Sequence, residues 1–451
     1  MHEPLYSAEE MRASEERYPG FPNTADELME RAGAAVANEA MRAFPDARRF
    51  SVVCGGGSNG GDGRIAARLL RAAGREAVET DDHGPADVVI DALVGTGFRG
   101  APRPEAAARI ERMNGSGRPV LAVDLPSGVD ASTGEVGGAA VQATLTVTFH
   151  GRKVGLVVAP GRFHAGEVVV AEIGLEPAPT EIVRATPGVL ERLPRRGSRD
   201  TKFSSGSLLV VGGAPGTTSA PVLSARAAMR ADAGYVTLAV PEACLAVAEC
   251  LALEPVKRGF SWQDAATTLE PDLERASALA LGPGLGRSGE ARALVRELLE
   301  RAQVPAVVDA DGLFGLEPVR RQAPLVLTPH AGELARLLDE ETAWVGEHRL
   351  EAVTRCAERF DAIVLLKGAD TIVRSPDGRT VVCDLGPPSL ATAGTGDVLT
   401  GIVGAFLAKG HDPLDATVAA AVAHGLAARS VAPQTGLIAS DVVDALPSVL
   451  G

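Results

Sequence analysis

The residues best suited to chemistry lie near the C-terminus, in Ala391-Thr-Ala-Gly-Thr-Gly-Asp-Val-Leu-Thr-Gly401. An apolar run follows, so the pattern predicts a glycine-rich turn that opens a buried helix. Gly394 and Gly396 can adopt positive φ and lack Cβ atoms, so backbone N–H groups there can converge on an anion such as phosphate. Asp397 would then lie in the first helical turn as a general base. Taken alone, Asp397 could instead cap an ordinary helix.

Four further glycine-rich or polar stretches precede this turn in the same half of the chain. They are Leu-Gly-Pro-Gly-Leu-Gly at 281–286, Val-Asp-Ala-Asp-Gly-Leu at 308–313, Thr-Pro-His-Ala-Gly-Glu at 328–333 and Leu-Lys-Gly-Ala-Asp-Thr at 366–371. In this order, and with the turn at 391–401, they resemble the ribokinase-like superfamily, specifically its ADP/ATP-dependent NAD(P)H-hydrate dehydratase branch.

The resemblance implies a set of ligand contacts in this half. The hydrated nicotinamide cofactor is expected to contact Ala220, Gly286 and His330, with Asp397 as the catalytic residue. ADP or ATP is the implied co-substrate, with Mg²⁺ bridging its phosphate oxygens. The residues implied to bind the nucleotide are Lys367, Gly368, Ala369, Asp370, Thr371, Gly394, Thr395 and Gly396.

The sequence departs from the family pattern at three places in this half. Thr201 stands where the family commonly has His, Phe314 stands near a common Asn, and Gly386-Pro-Pro388 replaces a segment containing Asn. We expect these departures to affect nucleotide preference and affinity more than the chemistry.

The N-terminal half begins with two predicted amphipathic helices between Ser7 and Met41. A short buried strand is predicted at Phe50–Cys54, followed by a glycine loop over residues 55–63 and a helix over Arg64–Ala73. Strand, glycine loop and helix form the first unit of a nucleotide-binding α/β fold. The spacing is neither the usual dinucleotide fingerprint nor a P-loop.

Two later predicted strands end in polar residues. Asp91 closes one strand and leads into the glycine-containing stretch 95–100, and Asp124 closes the next and leads into Ser127. In a doubly wound sheet these loops meet at the carboxyl edge, where ligands bind. Each aspartate taken alone could merely cap the following helix.

Together the N-terminal motifs resemble the NAD(P)H-hydrate epimerase family, the YjeF N-terminal domain, over about residues 5–175. The resemblance implies a K⁺ ion held by Asn59, Asp91 and Ser127, whose hard oxygen donors suit an alkali cation. It also implies Asp124 as the carboxylate that handles protons or orients the substrate. The implied substrate contacts are Ser58, Asn59, Gly60, Gly61, Asp62, Gly95, Thr96, Gly97, Phe98, Arg99, Gly100, Ala101 and Asp124. Ser58 replaces the family's usual Asn, so we expect a changed contact there.

The predicted fold class is α/β throughout. An N-terminal Rossmann-like doubly wound epimerase domain (1–175) is expected to precede a proline-containing linker (176–203) and a ribokinase-like dehydratase sandwich (204–451) with a mostly parallel sheet. The linker carries a basic cluster, which we interpret as a solvated face that could also steer an anionic substrate. Its members are Arg192, Arg195, Arg196, Arg199 and Lys202.

Composition restricts the class of partner. The 451 residues are 45% hydrophobic and carry a net charge of −14, which disfavours binding to nucleic acid or to anionic membranes. The five scattered cysteines form no zinc or disulfide pattern, and the polar N-terminus has no signal-peptide character. We therefore expect a cytoplasmic enzyme of small molecules that forms a homo-oligomer.

The functional hypothesis is a bifunctional repair enzyme. The N-terminal half would interconvert the R and S hydrates of NADH and NADPH, and the C-terminal half would dehydrate the S form at the expense of ADP or ATP. The alternative is a ribokinase-like kinase of a small alcohol, such as a vitamin precursor, fused to a binding or scaffold domain.

Overall fold

The computed structural model describes residues 2–81, 84–194, 197–199, 201–202 and 205–451. The chain divides into two compact units. The first unit contains Pro4–Val183 and Gly346–Arg349, and the second contains Met1–Glu3, Arg184–Val345 and Leu350–Gly451.

The segment predicted as a linker, 176–203, is partly regular structure. The division between the units lies at Val183, and a strand and a 3₁₀ segment, Pro187–Arg192, fall inside the predicted linker. Two arginines of the predicted basic cluster, Arg195 and Arg196, lie outside the described residues.

The strands are numbered in chain order. They are β1 His2–Leu5, β2 Arg49–Cys54, β3 Glu76–Glu79, β4 Val88–Ala92, β5 Val120–Val123, β6 Leu145–Phe149, β7 Glu167–Ala171, β8 Ile182–Ala185, β9 Ser207–Val211, β10 Tyr235–Pro241, β11 Val256–Phe260, β12 Ala278–Leu281, β13 Ala306–Val308, β14 Leu325–Leu327, β15 Ile363–Leu366, β16 Thr371–Arg374 and β17 Thr380–Cys383.

The α-helices are numbered in the same way. They are α1 Ala8–Glu16, α2 Ala25–Ala43, α3 Ser58–Ala72, α4 Pro104–Gly115, α5 Ser219–Arg230, α6 Glu242–Leu251, α7 Ala265–Arg275, α8 Gly289–Arg301, α9 Ala331–Leu338, α10 Thr342–Glu347, α11 Arg349–Phe360, α12 Thr395–Ala408, α13 Pro413–Ser430 and α14 Ala439–Leu450. None of the helices in the described ranges is both long and apolar enough to cross a membrane.

The first unit is built on a parallel sheet with strand order β3-β2-β4-β5-β6-β7. The chain moves outward from β2 to β3 and then returns to continue from β4, so the direction of winding reverses between β2 and β4. Cys54 at the end of β2 lies opposite Ala92 at the end of β4. The loops after these two strands therefore diverge from one crevice, which is where ligands bind in doubly wound sheets.

The glycine stretch after β2 is helical rather than a loop. We predicted a loop over residues 55–63 and a helix from Arg64, whereas α3 begins at Ser58. A Cβ atom on Gly60 would lie 2.0 Å from the Gly55 carbonyl oxygen, and one on Gly63 would lie 2.5 Å from the Ala92 side chain. These glycines let the helix pack closely against the strand ends, and this gain outweighs their poor helix propensity.

The second unit contains an eleven-stranded sheet in the order β1-β8-β17-β16-β15-β14-β13-β12-β9-β10-β11. Strands β9 to β15 are parallel to one another, whereas β15, β16 and β17 form an antiparallel meander. The mostly parallel sheet is thus confirmed. Winding reverses between β9 and β12, which makes this crevice the expected ligand site of the second unit.

Helix α12 is buried on nearly all sides, as the apolar run after the Gly-Thr-Gly-Asp turn predicts. Every residue from Val398 to Ala408 is buried. Two glycines allow close approach: a Cβ atom on Gly401 would lie 2.1 Å from the Ser224 carbonyl oxygen of α5, and one on Gly404 would meet the Leu208 side chain of β9 at 2.9 Å. The helix is consequently fixed by packing from both the sheet and its neighbouring helices.

Candidate functional site

A cavity of about 740 Å³ opens at the carboxyl edge of the first unit's sheet. The start of α3, the loop after β4 and the end of β5 line it, together with residues of α1. The predicted substrate contacts that line it are Ser58, Asn59, Asp62, Gly95, Thr96, Gly97, Phe98, Arg99, Ala101 and Asp124. Gly60, Gly61 and Gly100 are not among its lining residues, and Arg12, Glu15 and Phe149, which the sequence did not single out, are.

The three predicted K⁺ ligands converge at the edge of this cavity. The Asn59 Nδ2 group donates to the Val94 carbonyl oxygen at 3.0 Å, and the Ser127 hydroxyl donates to the Asp91 carboxylate at 2.6 Å. The Val94 amide in turn donates to the Ser127 Oγ atom at 3.0 Å. Burial raises the pKa of Asp91 to about 6, although hydrogen bonds from Ser127 and Leu93 oppose the shift. Amide, carboxylate, hydroxyl and carbonyl oxygens together fit an alkali cation.

Asp124 lies beside the cavity in an unusual backbone conformation, with φ of 67°. Its Oδ1 atom accepts hydrogen bonds from Lys153 Nζ at 2.5 Å, Thr148 Oγ1 at 3.0 Å and the Phe149 amide at 3.3 Å. The Lys153 side chain has no solvent-exposed surface. This pair holds Asp124 rigidly and compensates its charge. The sequence predicted Asp124 but missed Lys153 as its partner.

Two other carboxyl groups line the same cavity and have no such partner. Burial, followed by the charges of Asp124 and Glu15, raises the pKa of Asp62 to about 8. Burial and the charge of Asp124 also raise the pKa of Glu15. The cavity therefore contains carboxyl groups in two contrasting environments.

In the second unit, the loops after five neighbouring parallel strands meet at one edge of the sheet. Predicted site residues follow four of these strands, and three of them are Gly286 after β12, His330 after β14 and Lys367 after β15. Ala220, in the first turn of α5, follows β9, and its Cβ atom would lie 3.1 Å from a Cβ on Gly284. The order of strands thus brings together residues that are far apart in the sequence.

The predicted anion-binding turn is present at the start of α12. Gly394 adopts φ of 88°, which favours glycine, and α12 begins at Thr395. Gly396 lies within the helix and does not adopt the positive φ that the sequence allowed. The Thr395 hydroxyl donates to the Leu390 and Thr392 carbonyl oxygens and fixes the turn. The first N–H groups of α12 lack intrahelical acceptors and face outward from the helix end, as an anion site requires.

Asp397 lies in the first turn of α12, as predicted. Burial, followed by the charge of the Asp309 carboxylate, raises the pKa of Asp397 to about 7. The nearby Lys367 ammonium opposes this shift. A carboxyl group with such a pKa can accept a proton near neutral pH, which suits a general base.

Lys367 is held next to this turn by residues that the sequence did not identify. Its Nζ atom donates to Asp309 Oδ1 at 2.7 Å and lies 3.8 Å from Glu333. Burial alone lowers the pKa of Lys367, but the carboxylates of Asp309 and Glu333 outweigh this effect and hold the pKa above its ordinary value. A Cβ atom on Gly396 would lie only 3.5 Å from Nζ, so the ammonium faces the anion-binding turn.

Asp309 also reaches α12 directly. The buried Thr400 hydroxyl donates to Asp309 Oδ2 at 2.6 Å and to the Gly396 carbonyl oxygen at 3.1 Å. Asp309 therefore connects Lys367 at the end of β15 to the first turns of α12. The motif at 308–313 was recognised, but the spacing alone gave no role for its first aspartate.

His330 caps helix α9 rather than lying free in the loop. Its Nδ1 atom accepts hydrogen bonds from the amides of Gly332 at 3.0 Å and Glu333 at 3.3 Å. Burial lowers the pKa of His330, and the neighbouring Lys367 and Arg336 charges add to this effect, whereas Glu333 opposes it. The side chain is more than half exposed, and its Nε2 atom lies 3.4 Å from the Glu333 carboxylate.

The other predicted residues lie in tight turns close to the same edge. Gly286 adopts φ of 82°, and its amide donates to Asp311 Oδ2 at 3.0 Å. The stretch from Lys367 to Thr371 connects antiparallel strands, with the Thr371 hydroxyl donating to the Gly368 carbonyl oxygen. Gly368 and Ala369 are exposed and Asp370 is buried.

Two of the departures from the family pattern have local packing roles. The Phe314 ring lies under the Arg287 guanidinium at 5.2 Å, and Arg287 also pairs with Asp311. Gly386 lies against α13, where a Cβ atom on Gly425 would be 2.9 Å from its amide nitrogen.

Across the described ranges, no group of three or more His, Cys, Asp or Glu side chains is arranged to hold a metal ion. The carboxylates of Asp309, Asp311 and Glu333 all act on Asp397 and are therefore close to the anion-binding turn.

Comparison with known proteins covers both units. A family profile described as NAD(P)H-hydrate dehydratase matches residues 208–448, and one described as YjeF-related protein N-terminus matches residues 25–83 and 75–155. A bifunctional NAD(P)H-hydrate repair enzyme Nnr from Moorella thermoacetica is 39% identical over 94% of this chain and 92% of its own length. The enzyme of the same name from Escherichia coli is 33% identical over 100% of this chain and 94% of its own length.

A solved structure resembles the second unit. The ADP/ATP-dependent NAD(P)H-hydrate dehydratase from Bacillus subtilis, co-crystallised with ATP and Mg²⁺, is 29% identical with a TM-score of 0.55. It covers 58% of this chain and 96% of its own length. The ribokinase-like fold predicted for the C-terminal half is thereby confirmed. With both profiles matched and the relatives aligned over nearly their full length, the chain belongs to the family of bifunctional NAD(P)H-hydrate repair enzymes.

Proposed function

We propose that the first unit interconverts the R and S hydrates of NADH and NADPH, and that the second unit dehydrates the S hydrate at the expense of ADP or ATP. The observation that carries the second assignment is the position of Asp397. It lies in the first turn of a buried helix, just after Gly394 in the sequence and near Lys367, and its pKa is raised to about 7. A base and an anion site are thus adjacent.

Dehydration needs a better leaving group than hydroxide. Asp397 takes the proton of the substrate hydroxyl while that oxygen attacks the terminal phosphorus of the nucleotide. The N–H groups at the start of α12 and the Lys367 ammonium stabilise the charge on the transferring phosphoryl group. The C–O bond of the resulting phosphate ester then breaks and phosphate leaves, while the ring nitrogen lone pair forms a C=N bond. Loss of a proton from the adjacent ring carbon forms the C=C bond and returns the electron pair to nitrogen.

The nucleotide and Mg²⁺ assignments are supported by the similarity to the Bacillus subtilis enzyme, which was co-crystallised with both. When bound, Mg²⁺ would neutralise the phosphate oxygens. The carboxylates of Asp309 and Glu333, which lie next to Lys367, would share in holding it. The turn from Lys367 to Thr371 is the proposed nucleotide contact, and Ala220, Gly286 and His330 are the proposed contacts for the hydrate.

In the first unit, we assign the K⁺ ion to the oxygen atoms of Asn59, Asp91 and Ser127, with the Val94 carbonyl as a further donor. Their convergence and the burial of Asp91 support this site. Asp124 is the proposed residue that handles protons. Replacing Asp124 by Ala should abolish epimerisation and leave dehydration of pure S hydrate unchanged.

The test is restoration of the near-UV absorbance of the dihydronicotinamide from a mixture of R and S NADH hydrates, with Mg²⁺, K⁺ and either ADP or ATP. Complete restoration that depends on the nucleotide is expected. Restoration that stops when the S form is consumed would contradict the epimerase assignment. No restoration, together with a stable phosphorylated product from a small alcohol, would indicate a kinase instead.

Two sequence predictions about the whole chain stay as proposals. We place the protein in the cytoplasm, and the five cysteines support this because all are free. The homo-oligomeric state stays a prediction that sedimentation analysis of the purified protein would check.

A further inference from the structure

The cavity of the first unit contains a second carboxyl group, Asp62, for which the proposed roles so far give only substrate contact. Asp62 is 7% exposed and lines the cavity from the second turn of α3. Within the described ranges, no donor lies within hydrogen-bonding distance of its carboxyl group. A largely buried carboxyl group that lines a cavity without a hydrogen-bond donor from the protein is available to a ligand bound there.

Asp124 lines the same cavity, but its charge is compensated by a neighbouring cation. Its Oδ1 atom accepts three hydrogen bonds, one of them from the fully buried Lys153 ammonium at 2.5 Å. Its Oδ2 atom takes part in none of these bonds. The cavity is thus bordered by one carboxyl group paired with a cation and by two, Asp62 and Glu15, without such a partner.

We propose that Asp62 is the general acid of the epimerisation and that Asp124 is its general base. This inference rests on the proposed epimerase function of the first unit. Paired carboxyl groups in contrasting environments commonly divide acid and base roles in this way.

The remaining charged groups around the cavity are consistent with a protonated Asp62. Glu15 from α1 and Asp124 from the end of β5 both oppose its ionisation, in addition to burial. Lys153 favours ionisation but is engaged by Asp124. Arg12 of α1 also lines the cavity. The pKa of Asp62, raised to about 8, keeps the proton available at neutral pH.

These two carboxyl groups supply and accept all the protons that the epimerisation requires. Asp62 gives its proton to the hydroxyl on the hydrated ring carbon, the C–O bond breaks, water leaves, and the ring nitrogen lone pair forms a C=N bond. Water then adds to the opposite face of this cation while Asp124 takes one of its protons. The proton returns from Asp124 to Asp62 through water, which restores both groups and leaves the inverted hydrate.

Glu15 is the competing candidate, since it also lines the cavity and has a raised pKa. Asp62 is favoured because it is more deeply buried and is held on a helix whose glycines pack against the strand ends. Glu15 lies near the C-terminal end of α1 and is partly exposed.

The experiment follows conversion of pure R NADH hydrate to the S form by chromatography, without nucleotide, so that the second unit is inactive. In Asp62→Asn, kcat should fall at least about 100-fold, as expected for loss of a general acid. Asp62→Glu should recover part of the activity. In the wild type, kcat/KM should decline as pH rises through about 8, and the residual activity of Asp62→Asn should lack this decline.

Folding is monitored separately in the same variants. Because Asn removes an unpaired buried carboxyl group, Asp62→Asn should not lower the midpoint of thermal unfolding. The inference is overturned if the wild type epimerises and Asp62→Asn retains its rate and pH profile, or if Glu15→Gln alone removes the alkaline decline. A wild type that does not epimerise at all would overturn the proposed function of the first unit as well.

Discussion

Both units place an aspartate and a lysine at the carboxyl edge of a parallel sheet, but they pair them differently. In the first unit, Lys153 bonds directly to Asp124, the candidate catalytic residue, at 2.5 Å. In the second unit, Lys367 bonds to Asp309 at 2.7 Å, and the candidate base Asp397 accepts no side-chain hydrogen bond from the described residues.

The difference follows from what each site has to bind. A site that only moves protons benefits from a carboxylate whose charge is fixed by a permanent cation. A site that transfers phosphate needs its cation for the phosphoryl oxygens, so the lysine is positioned by a separate carboxylate. The lysine thus stabilises the charge of the base in the first unit, whereas in the second unit it is available to the substrate.

The strongest test of this comparison is Asp397→Asn. Dehydration of S hydrate should fall by about 10²–10⁴-fold, because the general base is lost while the anion-binding turn is kept. Epimerisation of R hydrate without nucleotide should be unchanged. Both rates are measured on the same preparation, and unchanged dehydration would disprove the role of Asp397.

Lys153→Met tests the fixed charge in the first unit. Removing one partner of a buried ion pair leaves Asp124 uncompensated, and we expect a loss of about 3–5 kcal/mol in the free energy of unfolding. Circular dichroism would report this loss. Tryptophan fluorescence should not change, because both tryptophans, Trp262 and Trp344, lie in the second unit.

Lys409→Met is the matched control for this prediction. Lys409 pairs with Asp232 at 2.7 Å, but the Asp232 side chain is 41% exposed, so the change should cost about 1 kcal/mol or less. Equal losses in the two variants would contradict the claim that the Asp124 pair is distinguished by its burial.

Thr400→Val tests how firmly Asp309 is held in the second unit. The variant removes a buried hydroxyl that donates to the Asp309 carboxylate at 2.6 Å, and we expect a loss of about 1.5–3 kcal/mol. Tryptophan fluorescence during denaturation measures this loss. Thr417→Val is the control, because that equally buried hydroxyl bonds only to the Pro413 carbonyl in its own helix and should cost about 1 kcal/mol.

The pH dependence of dehydration is expected to show the smallest effect. Since the base must be ionised, kcat/KM for dehydration should rise with pH and reach half its plateau near the pKa of Asp397, about 7. At pH 6 it should be about tenfold below the plateau. Saturating nucleotide and Mg²⁺ keep the nucleotide's own titration out of the profile, and a pH-independent rate between 5 and 8 would contradict the raised pKa.

Sequence patterns were sufficient for the parts of the fold that depend on local order. The strand predicted at Phe50–Cys54 ends where the structure has it, because an apolar run and the following glycines are local signals. The predicted start of α3 was wrong, because the close approach of Gly63 to Ala92 becomes apparent only when the ends of β2 and β4 are placed side by side.

The partners of the candidate catalytic residues could not be predicted from the sequence, for a similar reason. Lys153 lies 29 residues from Asp124, and Lys367 lies 58 residues from Asp309. No periodicity links such pairs, since strand order determines which loops become neighbours. The sequence also could not predict that the Asp62 carboxyl group lacks a hydrogen-bond partner, because this depends on which groups are absent around it.

The burial of α12 has a consequence for motion. A helix enclosed by sheet and helices can exchange its amide hydrogens only through large-scale opening of the second unit. The anion-binding turn is mounted on this slowly exchanging element, so it is already organised before any nucleotide arrives. We therefore expect that nucleotide binding slows hydrogen exchange mainly in the surrounding loops, such as the one after Leu366, and hardly at all along Val398–Ala408.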